Sequence, residues 1–452
     1  MSGTLDLPRV SPSAGTPAAF VTYMSYSGLG IVRSLGRRGV PVFALDPDRT
    51  QIGMTSRFCR GVPVPRVEER EDEHLDCLVR LARSLPEKPV LFPTGDDTVL
   101  CYARHEDSLR KHFRFTGPCA ETVRKTATKD ALFRTARELG VSVPETYVPG
   151  SLDDVRAVAA IIPYPCLIKP ARPSSWHRRM VQDALRRIPG GSEKSIVVRH
   201  ADALMDAYQQ MAAIEPNVVV SEVIPGEDRE LLYFAFYRSA DGRIWHFSGR
   251  KERIVPIHFG SASFVVSTEA EDLDRVSITF LERLGYRGLG GIEFKRDARD
   301  GSLKLIELNP RFGLWDALGQ RVGVDTAAVA YLDAIGAQLP APARARTEVR
   351  WISISRDIRA MLQYRKEGLL STRSWLRSLL AGEKAWAVFS WDDSLPVVVA
   401  SVRFWLRLVR RLAARPLGSR RDTRLPPAPP VERAARRRDP RDERPPIHHS
   451  II

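Results

Sequence analysis

Hydrophobic and polar residues alternate along the chain in two patterns, one typical of strands and one typical of helices. Short apolar runs that end at Gly, Pro, Asn or Asp predict β-strands, among them residues 18–22, 41–45, 90–93, 164–170 and 217–224. Residues 128–140 and 271–284 predict helices, and the first of these carries an apolar stripe that ends at a glycine. Strands and helices that follow one another in this way predict an α/β (α+β) protein.

One stretch predicts a β-hairpin, with strands at Gly291–Lys295 and Leu303–Asn309 around a polar turn. Side chains alternate along a strand, so Glu307 and Asn309 are expected on one face, with Glu293 directly across from Glu307. Two like charges in that position destabilise a strand pair, and a divalent cation removes the cost.

The donors on this hairpin predict a metal site. Two carboxylates and an amide oxygen suit Mg²⁺, which takes its other ligands from water and nucleotide phosphates, so Glu293, Glu307 and Asn309 are the predicted ligands. The alternative is an exposed hairpin with scattered acids. Arg311 follows two residues after Asn309, and its fork of donors suits a phosphoryl or acyl-phosphate oxygen.

A second cation stands out because it lies inside an apolar strand. Lys169 belongs to the predicted strand 164–170. A lysine buried in a strand is costly unless an anion pairs with it, because desolvation penalises the charged form. We therefore expect Lys169 to bind an anion.

These residues together resemble a family. Glu293 and the run Glu307-Leu-Asn-Pro-Arg311 resemble the metal-binding end of the ATP-grasp fold, and the resemblance extends upstream over about residues 18–340 in the expected order. The likeness is to carboxylate–amine ligases of the D-aspartate-ligase-like kind. It implies an ATP-grasp fold, preceded by a Rossmann-like α/β domain and followed by a C-terminal extension.

The resemblance also assigns nucleotide-binding roles. It implies phosphate binding by Lys129 and Lys169, and ribose binding by Glu230, with Asp228 as the alternative. It further implies that the adenine lies against the segment 217–226, with its ring edge on the backbone of Val223 and Ile224 and its exocyclic amine near Glu222.

The catalytic cations are expected on the antiparallel strands and after the hairpin. The resemblance implies that Arg311 holds phosphoryl and acyl oxygens. Arg250 and Lys251 are adjacent, and alternation sends only one of them into the cleft. Residues 171–195 are basic and contain glycines, and we expect them to form a loop that closes over the triphosphate.

The amino-terminal part contains an incomplete dinucleotide fingerprint. A strand leads to Gly28 and Gly30 and a later strand ends at Asp46, but Arg33 stands where a third glycine is needed. We therefore favour the α/β domain that precedes ATP-grasp modules over an NAD site. At the end of strand 90–93, Thr94, Asp96 and Asp97 are either substrate contacts or, for Asp97, a helix cap.

Composition limits the compartment and the partners. The net charge of +15 is concentrated at residues 401–452, which hold 14 Arg against 5 Asp or Glu, so we expect no specific nucleic-acid site. Five cysteines without CxxC spacing indicate a reducing compartment. The start of the chain lacks a signal-peptide pattern, and no apolar run reaches 18 residues. We expect a cytoplasmic protein.

The predicted organisation follows these patterns. It comprises a disordered start (1–17), an α/β domain (18–124), an ATP-grasp domain (125–340, divided at 225/226 into ATP-binding and metal-binding subdomains), an extension (341–415) and a disordered basic tail (416–452). Residues 395–412 are amphipathic. They suit contact with an anionic membrane, and packing on the body of the protein or on a partner chain is the alternative.

The predicted function is a ligase that joins a carboxylate to an amine, with ATP and Mg²⁺, or Mn²⁺ in its place, as cofactors. The substrates are expected to be small amino-acid-like or peptide-like molecules, and a homodimer is the assembly considered. Two alternatives remain open: a non-catalytic Mg-ATP sensor, and a polyanion-binding protein based on the tail alone.

Overall fold

The computed structural model describes residues 16–171, 179–192 and 195–413. The predicted disordered segments 1–17 and 416–452 lie almost wholly outside this range. Three β-sheets organise the described chain.

The amino-terminal sheet is parallel and has the strand order β3-β2-β1-β4-β5. Its strands are β1 Ala19–Thr22, β2 Val42–Leu45, β3 Arg60–Val62, β4 Val90–Pro93 and β5 Arg114–Phe115. Its helices are α1 Tyr26–Gly36, α2 Glu71–Arg83, α3 Asp96–Arg104, α4 Glu106–Leu109 and α5 Ala120–Thr126, with a 3-10 turn at Ile52–Thr55. The chain leaves β1 on one side for β2 and returns on the other for β4. The carboxyl ends of β1 and β4 therefore form a switch point, where open α/β sheets bind ligands.

The second sheet is antiparallel and has the order β6-β9-β7-β8. It consists of β6 Thr146–Tyr147, β7 Cys166–Pro170, β8 Ile196–Val198 and β9 Val218–Glu222. Helices α7 Leu152–Ile161, α8 Arg179–Arg187 and α9 Ala201–Ala212 cover it and complete a separate core. Helix α8 lies inside the predicted closing loop 171–195, so the description of that whole segment as a loop is wrong; residues 172–178 and 193–194 lie outside the described chain.

The third sheet has seven strands in the order β14-β13-β10-β11-β12-β15-β16. They are β10 Leu231–Arg238, β11 Ile244–Val255, β12 Ser261–Thr268, β13 Gly288–Arg296, β14 Leu303–Asn309, β15 Arg350–Ile352 and β16 Lys384–Trp386. The remaining helices are α6 Lys129–Glu138, α10 Glu271–Leu284, α11 Gly319–Val322, α12 Thr326–Ala334, α13 Ile354–Lys366, α14 Thr372–Leu380 and α15 Leu395–Ala413, with 3-10 turns at Asp228–Glu230 and Asp316–Leu318.

Each face of this large sheet packs on a different set of helices. Residues of α6 and α10 share a core with one face, through Phe133, Phe280 and Phe234. The other face shares a core with α12 and with α1 of the amino-terminal domain, through Phe247 and Leu35 among others. The amino-terminal domain is therefore packed against the large sheet through a common core.

The carboxyl-terminal residues are tied to this arrangement by ion pairs. β15 and β16 continue the large sheet, so residues beyond 340 belong to the same layer. Arg33 of α1 donates from Nε to Asp393 Oδ2 at 2.9 Å, and the two side chains are only 7% and 1% exposed. Arg37 pairs with Asp392 at 2.8 Å. We call these two ion pairs the C-terminal clasp.

The glycines of the incomplete dinucleotide fingerprint serve packing. Gly28 and Gly30 lie inside helix α1, and a Cβ at Gly30 would come within 2.8 Å of the Ala317 side chain. Asp46 is buried and accepts a hydrogen bond from Met24 N at 2.7 Å. Gly30 and Asp46 of the motif thus have structural roles, one in helix packing and one in a backbone hydrogen bond.

Candidate active site

The hairpin has the predicted register. Glu293 pairs with Glu307 across β13 and β14, and Gly291 pairs with Asn309. The facing carboxylates are therefore confirmed, and Asn309 follows on the same face. Phe294 pairs with Leu305 instead of Ile306, so a β-bulge interrupts the ladder next to the acids. Bulges redirect the local backbone, and this one has a direct consequence for Lys129.

Lys129 reaches the bulge. It is the first residue of α6, and its Nζ donates to the carbonyl oxygen of Ile306 at 2.9 Å. A small pocket at this place is lined by Lys129, Glu307, Asn309 and Asp96, together with neighbouring residues. A predicted phosphate ligand and two predicted metal ligands thus line one pocket.

Lys251 changes the electrostatics of the hairpin. Its ammonium group forms an ion pair with Glu293, and the side chains are 5% and 12% exposed. The sequence had suggested that only a bound metal ion offsets the repulsion between the facing carboxylates. Lys251 is a second positive charge that does so. Arg250 instead donates from Nε to Glu252 at 2.7 Å and is partly exposed. Of the two adjacent cations, Lys251 is the one directed at the hairpin.

The donor set at the hairpin fits a magnesium ion. The described residues contain no group of three or more His, Cys, Asp or Glu side chains that could hold a metal by themselves. Glu293 and Glu307 supply two such side chains, and the third predicted ligand, Asn309, supplies an amide oxygen instead. Mg²⁺ is commonly held by one or two carboxylates plus substrate phosphates, so the residues present fit this ion.

Lys169 lies on the second sheet, as predicted. It is half-buried in β7, between buried Ile168 and Pro170, and is paired in register with Val219 of β9. Its role as a phosphate ligand stays a prediction.

Two of the three residues predicted to contact adenine, Glu222 and Val223, make hydrogen bonds within the protein. Glu222 accepts hydrogen bonds from Glu145 N and from Arg299 Nη2, each at 3.0 Å. Arg299 lies in the turn of the metal hairpin, so this ion pair joins the second sheet to that turn. Val223 N donates to Pro165 O at 3.2 Å, while Ile224 is buried. Adenine contacts by these three residues stay predictions.

The two ribose candidates differ in what surrounds them. Asp228 is buried and accepts from His258 N at 3.1 Å and from the Tyr364 hydroxyl. Burial would raise the pKa of Asp228, but its hydrogen bonds with His258 and Tyr364 hold the pKa below the ordinary value. Glu230 follows in the same 3-10 turn and is only half-buried. Because Asp228 is committed to the fold, Glu230 is the better candidate.

Arg311 connects the hairpin to the switch point. Its Nε lies 2.5 Å from Oδ1 of Asp96, the first residue of α3. Asp96 therefore faces the predicted site. Thr94 instead donates to the carbonyl oxygens of Thr22 and Tyr23, at 2.7 and 2.6 Å, which makes it a structural tie between β4 and β1.

Asp97 does not cap the helix, so that alternative is wrong. The cap of α3 is Gly95, and its backbone is bonded to the Thr98 side chain. Burial, followed by the neighbouring carboxylate of Glu68, raises the pKa of Asp97 to about 6. The switch point thus has an acidic rim beside Arg311.

Two buried residues behind the predicted metal ligands, Tyr233 and Asp316, were not predicted as part of the site. Tyr233 stands next to Glu293 in the ladder, and its hydroxyl faces the Asp316 carboxylate without reaching hydrogen-bond geometry. A Cβ at Gly291 would lie 1.7 Å from that hydroxyl. Glycine in a strand often marks such a close approach, so Gly291 is the one feature of the sequence that could have indicated a large side chain packed at this position. Burial raises the pKa of Asp316 to about 7.

Solved structures of other proteins share this architecture. The chain aligns with an ADP complex of N5-carboxyaminoimidazole ribonucleotide synthetase, with a TM-score of 0.60 and 14% identity over 78% of this chain and 86% of that one. It also aligns with the biotin carboxylase domain of Hydrogenobacter thermophilus 2-oxoglutarate carboxylase, solved with MgADP and bicarbonate, with a TM-score of 0.56 and 15% identity over 74% of each chain. The protein has the ATP-grasp fold, behind an amino-terminal α/β domain.

Curated proteins of known function are similar in sequence to part of this chain. The chain is 20% identical to D-aspartate ligase of Enterococcus faecium over 262 residues, which make up 54% of this chain and 59% of the relative. The matched region thus spans little more than half of that relative. No profile of a protein family matches the chain. The resemblance inferred from the motifs, to D-aspartate-ligase-like ATP-grasp proteins, is confirmed.

Proposed function

We propose that the protein is an ATP-dependent ligase that joins a carboxylate to an amine and releases ADP and phosphate. The observation that carries this proposal is the site at the end of the hairpin. There the facing pair Glu293 and Glu307 adjoins Asn309, Lys129 reaches the bulge, and Arg311 follows. The fold is shared with nucleotide-bound structures, and the sequence is similar to that of a D-aspartate ligase.

The residues divide into two groups by task. Glu293, Glu307 and Asn309 would hold Mg²⁺, which when bound supplies charge neutralisation for the transferring phosphoryl group. Lys129 and Lys169 would hold the phosphates. Adenine and ribose would lie against the Glu222–Ile224 segment and Glu230, respectively. Positioning and electrostatic stabilisation provide most of the catalysis in phosphoryl transfer.

The proposed reaction proceeds through an acyl phosphate. A carboxylate oxygen of the substrate attacks the γ-phosphorus, and the bond from that phosphorus to the β–γ bridging oxygen breaks, releasing ADP. The amine nitrogen then attacks the acyl carbon, the bond from carbon to the phosphate oxygen breaks, and the nitrogen loses a proton. Arg311 is placed to hold the phosphoryl and acyl oxygens, because its fork of donors suits both.

The cysteines do not favour a covalent enzyme intermediate. Burial raises the pKa of Cys59, Cys101 and Cys166 to about 12 in each case. A thiol attacks only as its thiolate, so these three are poor nucleophiles at neutral pH. These three cysteines thus give no support to an acyl-enzyme intermediate, in keeping with the proposed acyl phosphate.

The amine is proposed to enter at the switch point. Asp97 and Glu68 form an acidic rim there, and Asp96 holds Arg311 beside the metal hairpin. An ammonium group suits such a rim, whereas the acyl phosphate suits the arginine. Amino acids and small peptides are accordingly the first substrates to test.

The test is ADP release from Mg-ATP with mixtures of amino acids and small peptides, followed by replacement of the amine with hydroxylamine. We expect ADP and a hydroxamate to form together. Glu307→Gln should abolish both, because it removes a charge from the metal site. Glu121→Gln, on the exposed surface of α5, is the matched control and should react normally.

Other products would identify the alternatives. AMP and pyrophosphate would mean adenylation, and the acyl-phosphate mechanism would be wrong. Tight Mg-ATP binding without turnover in any substrate mixture would instead identify a nucleotide sensor.

A further inference from the structure

Helix α15 (Leu395–Ala413) lies against the amino-terminal domain with the side that carries Pro396 and Arg403. Arg403 donates to Thr50 O at 2.6 Å and pairs with Asp48 at 3.1 Å. Just before the helix, the C-terminal clasp buries Asp393 against Arg33. One side of α15 is therefore fixed to the body of the protein, and its orientation is defined.

The opposite side of the helix is apolar and exposed. Its large side chains are each between 52% and 61% exposed, and they are Leu395, Val398, Val402, Trp405 and Leu406. Their spacing of three, four, three and one places them on one stripe of a helix with 3.6 residues per turn. Trp391, immediately before the helix, is 90% exposed. We call this stripe with Trp391 the apolar face of α15. The helix thus packs on the body of the protein through one side, as the alternative expected, while the apolar face of α15 stays exposed.

The sequence around this face carries charge of one sign. Residues 395–421 contain seven Arg and no Lys, Asp or Glu. Arginine beside an apolar stripe with tryptophan is the composition of helices that lie in the interface of a bilayer. The surface potential of anionic lipids attracts such basic segments within about a Debye length.

We propose that the apolar face of α15 binds the surface of a bilayer that contains anionic lipids. Trp391 and Trp405 would enter the interfacial region, where an amphipathic aromatic ring is favoured, and the positive charge of the segment would attract it to anionic lipid. In the described part of the chain, no helix is long and apolar enough to cross a membrane, so the helix would lie on the surface. This proposal is independent of the proposed reaction.

Charge favours a bilayer over a second copy of the chain. A two-fold dimer would use the same patch on both subunits. It would bring two segments that each carry seven arginines and no acid next to one another. That like-charge repulsion opposes self-association, whereas an anionic surface complements the charge.

Vesicle co-sedimentation of the full chain tests the proposal. We expect binding to vesicles of phosphatidylcholine with phosphatidylglycerol, little binding to phosphatidylcholine alone, and loss of binding at high salt. The double variant Trp391→Ser/Trp405→Ser should bind roughly tenfold or more weakly, because each ring loses its apolar contact with the bilayer. Ile161→Ser, which removes a 63%-exposed apolar side chain from α7, is the matched control and should bind normally.

Additional measurements separate the outcomes. Circular dichroism and ATP affinity of the double variant should equal those of the native chain, because both tryptophans are exposed. Equal binding to neutral and anionic vesicles, or unchanged binding by the double variant, would overturn the proposal. So would absence of vesicle binding together with a dimer in sedimentation velocity that the double variant abolishes, since a second copy would then cover the face.

Discussion

Arg311 Nε lies 2.5 Å from Asp96 Oδ1, and this ion pair joins two residues that are 215 positions apart. One partner follows the metal hairpin and the other begins α3 at the switch point of the amino-terminal sheet. Burial lowers the pKa of Arg311, and pairing with Asp96 more than offsets this, so the guanidinium stays charged. The pair therefore holds a charged guanidinium between the hairpin and the switch point, and the proposed reaction uses both.

The first prediction concerns this ion pair. Asp96→Asn keeps an acceptor for Arg311 but removes the charge that orients it. We expect kcat to fall by about 10²-fold, as for other misplaced positioning groups, with little change in ATP affinity. Steady-state ADP release and nucleotide titration measure the two effects. The exposed Asp107→Asn in α4 is the control, and a normal kcat in Asp96→Asn would remove Arg311 from the proposed mechanism.

The second prediction separates Lys251 from Arg250. Lys251→Met removes the buried counter-charge of Glu293, which faces Glu307 across the hairpin, so we expect unfolding in the absence of metal to become easier by about 2–4 kcal/mol. Added Mg²⁺ should then raise the melting temperature more than it does in the native chain. Arg250→Met removes a partly exposed pair and should cost at most about 1 kcal/mol. Equal stability of the two variants without metal would contradict the assignment of Lys251 as the buried counter-charge of Glu293.

The third prediction distinguishes the ribose candidates. Glu230→Gln should weaken ATP binding by roughly tenfold through one lost charge-assisted hydrogen bond, with stability unchanged. Asp228→Asn should instead lower stability by about 1–3 kcal/mol, because its partners His258 and Tyr364 are internal. Calorimetric ATP titration and urea unfolding of both variants give the comparison. The reverse pattern would make Asp228 the ribose ligand.

The fourth prediction uses the pH dependence of stability. The pKa of Asp316 is raised from 3.8 to about 7 in the folded protein. The folded chain therefore retains a proton that the unfolded chain releases, and its stability falls as the pH rises through this window, by about 1.4 kcal/mol per pH unit at most.

Asp316→Asn should remove this contribution, while its side-chain oxygen can still accept from Gly313 N. Urea unfolding at several pH values gives the difference between native chain and variant. Asp300→Asn, in the exposed hairpin turn, should leave the slope between pH 4 and 7 in place. An identical slope in the native chain and Asp316→Asn would show that Asp316 is ionised throughout.

The sequence allowed the hairpin to be predicted because its information is local. Alternation and a short turn fix which side chains face one another, so the pairing of Glu293 with Glu307 followed from the spacing. The bulge at Ile306 did not follow, since it depends on how β14 meets β13 and on the contact with Lys129. The resemblance to ATP-grasp proteins supplied the overall architecture.

Contacts between distant segments could not be predicted in this way. Lys251 and Glu293 lie 42 positions apart, and nothing in either strand indicates that the lysine crosses to the acid. The same holds for Arg311 with Asp96, whose side chains meet only after two domains have packed together. For Asp97, a local pattern was misleading. Its position before a predicted helix suggested a side-chain cap, but α3 begins one residue earlier and Gly95 is its cap.

The C-terminal clasp also bears on how this protein could be recombined with its relatives. Arg33 is a buried cation whose partner, Asp393, lies 360 positions away near the other end of the described chain. A transplanted amino-terminal domain that has no arginine at this position would leave Asp393 without its buried counter-charge, at a cost of about 3–5 kcal/mol. In a chimera, the segment that carries Arg33 and the segment that carries Asp393 must therefore be exchanged together, although 360 positions separate the two residues.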